Sequence, residues 1–130
     1  ALGAPFGLLV ADLSFISLRT VMPDLVGLVA DGASLVLLVK PQFEAGKAEV
    51  DRGSGVIRDP GVWLTVLEAV DVSVREHAAA IMEGMPSPIT GADGNVEFLV
   101  HVRAGTVGRP LDTAGLVAEA LRDREQAVDR

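Results

Sequence analysis

The sequence predicts an α/β domain in which parallel strands precede an antiparallel hairpin, with helices flanking the sheet. Two apolar runs without alternation, at residues 7–11 and 33–39, are separated by a segment with helical spacing. A turn-rich stretch then leads into an alternating segment at 96–103, which is typical of the second strand of a hairpin. A strand–helix–strand unit of this length predicts two parallel strands joined by a right-handed crossover.

The first third of the chain accounts for the parallel pair. Residues 7–11 form the first apolar strand, and apolar positions recur at helical spacing over residues 16–29. Pro23 indicates a kink or a late start of this helix, and the Asp-Gly pair at 31–32 supplies a stop. The run "ASLVLLV" at 33–39 is apolar without alternation, which is typical of a parallel strand covered on both faces.

A long loop and a second helix follow. Residues 41–59 are rich in glycine and charge and poor in apolar side chains, which predicts a loop of the length that often carries function. Asp59 and Pro60 have the residue types of a helix N-cap and first helical position. The apolar stripe of this helix begins at Trp63, which we expect in the core.

The last third of the chain predicts the hairpin and a final helix. Residues 77–85 predict a third strand, the turn-forming stretch "PSPITGADGN" follows, and 96–103 predict the returning strand. We therefore separate a main unit at 1–110 from a carboxyl-terminal amphipathic helix within 111–130.

Composition narrows the class of protein. The 130 residues suit one domain, and a hydrophobic content of 49% argues against disorder. The absence of cysteine excludes a disulfide framework and a thiolate metal site, and it fits a reducing, cytoplasmic compartment. No apolar run approaches the roughly 20 residues that span a bilayer, so we expect no membrane partner. A net charge of −7 is unlike the basic face of a protein that binds RNA by itself.

Charged residues stand where predicted strands end. Asp12 follows the first apolar run, Lys40 follows the second, and Glu97 lies near the start of the returning strand. Ligands of open parallel sheets bind outside the carboxyl ends of the strands, and an antiparallel strand begins at that same edge. An acid and an amine placed there compensate for each other's desolvation. We therefore expect Asp12, Lys40 and Glu97 to share the rim of one pocket.

Each of these residues also has a structural interpretation. Asp12 could cap a helix, Lys40 could be the solvated end of its strand, and Glu97 could be the polar position of an alternating strand. His77 and His101 have no partner at metal-ligand spacing, so we expect structural roles for both and no metal site. The pattern by itself names no reaction.

Four blocks of the sequence carry recognisable motifs: "DLSFISL" at 12–18, "VKPQFEAGK" at 39–47, "GVIRDP" at 55–60 and "GNVEFLVH" at 94–101. In order and spacing they resemble the hemolysin A/TlyA family, whose members are rRNA 2′-O-ribose methyltransferases with an FtsJ-like catalytic domain. The resemblance extends from about Gly7 to Arg103. It implies a partial Rossmann-like methyltransferase sheet, with S-adenosylmethionine as methyl donor and rRNA or ribosomal subunits as partners of the parent protein.

The resemblance also implies roles for individual residues. The family carries a Lys-Asp-Lys-Glu tetrad, in which Asp12 matches the Asp, Lys40 the second Lys and Glu97 the Glu. Lys40 would then contact the ribose hydroxyl as base or orienting group, with Asp12 and Glu97 positioning it. One wall of the donor pocket would be formed by the consecutive residues Asp12, Leu13, Ser14 and Phe15.

The chain also departs from the family pattern. Only eleven residues precede Asp12, whereas the first catalytic Lys, the glycine-rich donor fingerprint and a small RNA-binding module of the family lie upstream of this block. We therefore expect residues 1–110 to be the carboxyl-terminal half of the methyltransferase domain. We further expect this chain alone to be inactive and to bind no donor measurably.

Two other functions stay open at this point. One is a non-catalytic interaction module or degenerate methyltransferase-fold domain, and the other, less favoured, is a pore-forming hemolysin. Pore formation is less favoured because the sequence has no amphipathic helix with a basic face. Assembly into a homo-oligomer stays open as well.

Overall fold

The computed structural model of the protein describes residues 5–128, which form one mixed four-stranded sheet flanked by helices. The strands are β1 (Phe6–Ala11), β2 (Val29–Val39), β3 (Ala79–Pro86) and β4 (Phe98–Ala104), in the spatial order β1-β2-β4-β3. The helices are α1 (Leu18–Gly27), α2 (Pro41–Glu44), α3 (Lys47–Arg52), α4 (Pro60–Glu76) and α5 (Thr113–Val128), with a 3₁₀ turn at Ala92–Gly94. No helix in the described part of the chain is long and apolar enough to cross a membrane.

The strand pairing confirms the predicted α/β fold class. β1 and β2 are parallel and are connected through α1, with Leu9 opposite Leu35. β4 is antiparallel to β2 on one side and to β3 on the other, with Phe98 opposite both Val39 and Pro86. The predicted hairpin therefore exists, and its returning strand lies inside the sheet.

The bounds of α1 differ from the helix predicted over 16–29. Ser17 is the N-cap of α1, and its hydroxyl accepts a hydrogen bond from the Arg19 amide at 3.1 Å, so the helix begins at Leu18. The Asp-Gly pair at 31–32 was expected to stop this helix, and that expectation is wrong because the pair lies inside β2. Gly32 has φ of +81° within a register shift of the β1–β2 pair, a conformation that suits an irregular strand residue without a Cβ.

The stretch predicted as a loop at 41–59 contains two short helices, so that prediction is wrong in detail. Pro41 occupies the first helical position of α2, where its fixed φ and missing N–H carry no penalty. The Ala45 amide donates to the Pro41 carbonyl at 2.9 Å and closes the turn. At 4 and 6 residues, α2 and α3 are too short to produce a helical period in the sequence.

One hydrophobic core lies between the sheet and three helices, α1, α4 and α5. Trp63 of α4 is fully buried, as predicted, and meets the ring of Phe98 edge-on with 6.2 Å between ring centroids. The predicted N-cap of α4 is confirmed too, since Asp59 accepts a hydrogen bond from the Gly61 amide at 2.8 Å. The sheet contributes alternate residues of β2 to this core: Leu35, Leu37 and Val39.

The opposite face of the sheet is much more open. Along β2 the alternate residues Val36 and Leu38 are only half-buried, and on β1 Leu8 and Val10 are 61% and 69% exposed. The expectation that residues 33–39 are covered on both faces is therefore wrong for the described part of the chain. Burial in β2 alternates even though hydrophobicity does not.

This difference between the two faces predicts a difference in stability between two identical substitutions. Leu37→Ala removes a fully buried side chain and leaves a cavity, so we expect it to lower the free energy of unfolding by about 2–5 kcal/mol. Leu8→Ala, the matched control, removes a side chain that is 61% exposed and should change that free energy by no more than about 0.5 kcal/mol. Urea unfolding of both variants measures the difference, and equal losses would contradict this assignment of faces.

Candidate active site

The candidate site forms at the edge of the sheet where β1 and β2 end and β4 begins. Asp12 directly follows β1, and Lys40 directly follows β2 as the N-cap of α2. Because Val39 is paired with Phe98, Lys40 and Glu97 leave the sheet at the same edge. The register thus brings three residues that are distant in sequence to one rim.

Lys40 is the centre of the contacts at this rim. Its ammonium group forms an ion pair with the Asp12 carboxylate and donates a hydrogen bond to the Ser14 hydroxyl at 3.3 Å. The Lys40 side chain is 12% exposed, whereas the Asp12 side chain is 62% exposed. Beneath it, the Phe43 ring centroid lies 5.9 Å from Lys40 Nζ, a cation–π distance. The ammonium is therefore held on the protein side while its carboxylate partner faces the open side.

Glu97 is buried at the same edge of the sheet but is not part of this ion pair. Its Oε2 accepts a hydrogen bond from Gln42 Nε2 at 2.8 Å, and no ion pair joins it to Lys40 within residues 5–128. A Cβ at Gly91 would overlap the same Oε2, so a larger residue there would displace the Glu97 carboxylate. Glu97 is linked to the rim through Gln42, two residues beyond Lys40.

Asn95 holds the chain that leads into Glu97. Asn95 is fully buried, and its Oδ1 accepts from the Ile57 amide at 2.9 Å. Its Nδ2 donates to the carbonyls of Gly55 and Ala92, both at 3.0 Å. All polar atoms of this side chain are used, which connects the segment before α4 to the turn before β4.

Glu44, at the end of α2, connects the rim to α1. The carboxylate is buried and accepts from the Ser17 hydroxyl at 2.5 Å and from the Leu18 amide at 2.6 Å. Arg19 donates to the Glu44 carbonyl at 3.0 Å. A carboxylate on the first amides of a helix satisfies donors that lack intrahelical partners and interacts favourably with the helix dipole.

An exposed aromatic residue completes the rim. Phe15 is 89% exposed and has φ of +64°, a left-handed conformation that is uncommon for a bulky residue. Its ring lies 4.9 Å from that of Phe43, between ring centroids. Non-glycine residues with such a backbone cluster at functional sites. The aromatic pair lies beside Lys40 through Phe43.

The predicted site residues differ in the contacts that they make in the structure. Asp12, Lys40 and Ser14 are in direct contact, whereas Glu97 reaches the rim through Gln42. Leu13 is half-buried and packs against the hydrophobic core. The sequence assigned no role to Gln42 or Phe43, although both lie in the motif "VKPQFEAGK", within three residues of Lys40.

The two histidines lie elsewhere, in contacts typical of structural residues. His77 Nδ1 is 2.6 Å from the Ser73 carbonyl, and His101 Nε2 is 2.8 Å from the Ser34 hydroxyl. Across residues 5–128, no group of three or more His, Cys, Asp or Glu side chains is arranged to hold a metal ion.

Comparison with known proteins identifies relatives that are longer than this chain. No protein-family model matches the chain. It is 44% identical to the 16S/23S rRNA (cytidine-2′-O)-methyltransferase TlyA of Mycobacterium tuberculosis. The match extends over 116 residues, which cover 89% of this chain and 42% of TlyA. It is 47% identical over 92 residues to YqxC of Bacillus subtilis, which bears the name of an rRNA methyltransferase, covering 70% of this chain and 32% of YqxC. The chain thus spans less than half the length of these relatives.

Solved structures agree with the sequence relatives. A protein from Streptococcus thermophilus with the name hemolysin superposes with a TM-score of 0.85 and 32% identity, covering 95% of this chain and 46% of that one. A protein of the same name from Lactococcus lactis gives a TM-score of 0.83 and 31% identity, with 92% and 58% covered. Hemolysin A of Brachyspira hyodysenteriae is 34% identical over 93 residues, covering 72% of this chain and 38% of the relative. By sequence and by fold, the chain belongs to the hemolysin A/TlyA family.

Proposed function

We propose that this chain is part of an enzyme that methylates the ribose 2′-hydroxyl of rRNA, with Lys40 at the reacting hydroxyl. The observation that carries the proposal is the placement of a largely buried ammonium between Asp12 and Ser14, at the edge where β1 and β2 end. Open α/β sheets bind their ligands at such an edge. The names of the relatives TlyA and YqxC support this substrate class.

The chemistry explains why a lysine is useful at this position. In methyl transfer, the ribose oxygen forms a bond to the methyl carbon while the bond from that carbon to sulfur breaks, and the hydroxyl proton must leave. A ribose hydroxyl is a poor nucleophile, so its alignment and the removal of its proton limit the reaction. Lys40 would contact the hydroxyl as base or orienting group, and the ion pair with Asp12 fixes where its Nζ lies.

The donor side of the site would be formed by residues that follow β1. S-adenosylmethionine, when bound, supplies the methyl group from a positively charged sulfonium. An exposed carboxylate at Asp12 suits a cationic group, and the open face of Phe15 suits a flat ring. Ser14 lies between them, and Leu13 supports the segment from the core side. These residues fit one wall of a donor pocket.

The RNA partner requires contacts from outside this chain. The chain carries a net charge of −7, so the phosphate contacts needed for rRNA or a ribosomal subunit would come mainly from the rest of the longer protein. Such an enzyme would act in the cytoplasm, where its substrate is. The same charge favours the alternative, a non-catalytic interaction module that has kept the methyltransferase fold.

The two lysines of the chain provide a matched test of the proposed function. In a protein extended to the length of TlyA, we expect Lys40→Met to lower kcat for methyl transfer to rRNA by at least about a hundredfold, because the group at the hydroxyl is lost. Lys47→Met, at the exposed start of α3, should leave the rate unchanged. Incorporation of labelled methyl groups into rRNA measures both, and normal activity of Lys40→Met would favour the non-catalytic module.

A second experiment concerns donor binding. We expect titration calorimetry to detect no S-adenosylmethionine binding by residues 1–130, and to detect it with the extended protein. One wall of a pocket leaves apolar donor surface in water, at about 25 cal/mol for each Å², and provides no preformed cleft to offset the entropy of binding. Micromolar binding by the 130-residue chain would place the donor pocket elsewhere.

A further inference from the structure

We infer that Gln42 is a positioning residue for methyl transfer, which acts by fixing the carboxylate of Glu97 at the sheet edge that also carries Lys40. The inference rests on the proposed function and adds a residue to it. Gln42 is 92% buried, does not contact the Asp12–Lys40 ion pair, and donates its hydrogen bond to Glu97 at 2.8 Å.

The backbone between Lys40 and Gln42 is rigid. Pro41 lies between them at the first helical position of α2, and the Phe43 amide donates to the Lys40 carbonyl at 2.9 Å. The turn therefore sets both side chains at once, with Lys40 directed to Asp12 and Gln42 directed to Glu97. A movement of Glu97 relative to Lys40 would require either this turn or the Gln42 side chain to change.

The chemical nature of Gln42, which donates to Glu97, favours a role in positioning the Glu97 carboxylate. An amide is neutral, so Gln42 can orient the Glu97 carboxylate without cancelling its negative charge, as an Arg or Lys would. Gly91, which has no Cβ, leaves room for the carboxylate oxygen that accepts this hydrogen bond. The Glu97 carboxylate is thus held in position by the Gln42 amide and by the space that Gly91 leaves.

A purely structural explanation leaves one atom unexplained. Gln42 Oε1 is buried and receives no hydrogen bond from residues 5–128. A buried acceptor without a donor costs folding free energy, and such groups in native proteins are uncommon enough to need a reason. Within residues 5–128 the Gln42 amide therefore uses its Nε2, and the partner of that Nε2 is the Glu97 carboxylate.

The test uses the protein extended to the length of TlyA and compares the two glutamines that lie within these 130 residues. We expect Gln42→Met, which keeps the size and loses the donor, to lower kcat about ten- to a hundredfold, since small displacements of a reacting constellation cost this much. The KM values for rRNA and donor should stay within about twofold. Gln126→Met, on the exposed side of α5, is the matched control and should keep the wild-type kcat.

A double variant separates positioning from stability. If Gln42 acts through Glu97, Gln42→Met should add little to the loss caused by Glu97→Gln, because the two changes remove one function. Should Gln42→Met fail to fold, Gln42→Asn keeps the amide but shortens its reach, and the same loss of kcat is expected. Wild-type kcat in a folded Gln42 variant, or losses that multiply fully in the double variant, would overturn the inference alone. An extended wild-type protein without methyl transfer would refute the proposed function and this role together.

Discussion

The four-residue helix α2 is the constraint on which the arrangement of the other elements depends. Three alternate residues, at positions 40, 42 and 44, contact three different parts of the fold. Lys40 contacts the residue after β1, Gln42 contacts the residue before β4, and Glu44 contacts the first amide of α1. Because Pro41 fixes the first turn, one short backbone segment determines the relative positions of all three.

This arrangement places polar groups where most domains have apolar ones. Gln42, Glu44 and Glu97 are all at least nine-tenths buried. Buried carboxylates are tolerated only when donors surround them, and here the donors are a hydroxyl, a backbone amide and a side-chain amide. Glu44 has two such donors, the Ser17 hydroxyl and the Leu18 amide, whereas Glu97 receives its side-chain hydrogen bond from Gln42. This edge of the sheet therefore combines deep burial with polar side chains that are held by hydrogen bonds.

Strands and long helices of the fold could be predicted from the sequence because each depends on local patterns. Residues 7–11 and 33–39 are contiguous apolar runs that lie within β1 and β2, and the amphipathic helix predicted within 111–130 corresponds to α5. The short helices α2 and α3 could not be predicted, since one or two turns leave no periodic signal. The Asp-Gly pair at 31–32 was wrongly predicted to end a helix, because the same residue types suit a helix end and an irregular strand.

The candidate site could be predicted in part for a similar reason. Asp12 and Lys40 stand at strand ends, and the rule for ligands of parallel sheets applies to them directly. Gln42 is uncharged and belongs to no periodic pattern in the sequence. Its contact with Glu97 joins residues that are 55 positions apart. Such a contact becomes visible only once the register of β2 and β4 is known. Family resemblance supplied the residues of the motif but not the path by which Glu97 reaches the rim.

The open face of the sheet has a consequence for how substitutions at this surface can be interpreted. Leu8 and Val10 contribute little to the core of residues 5–128, so folding of this unit places almost no demand on their identity. Selection for stability within the unit would allow polar residues there as readily as apolar ones. A preference for apolar side chains at these two positions would therefore reflect contacts with something outside this unit. In a deep mutational scan, the tolerance of positions 8 and 10 to polar residues would report whether this face of the sheet is covered.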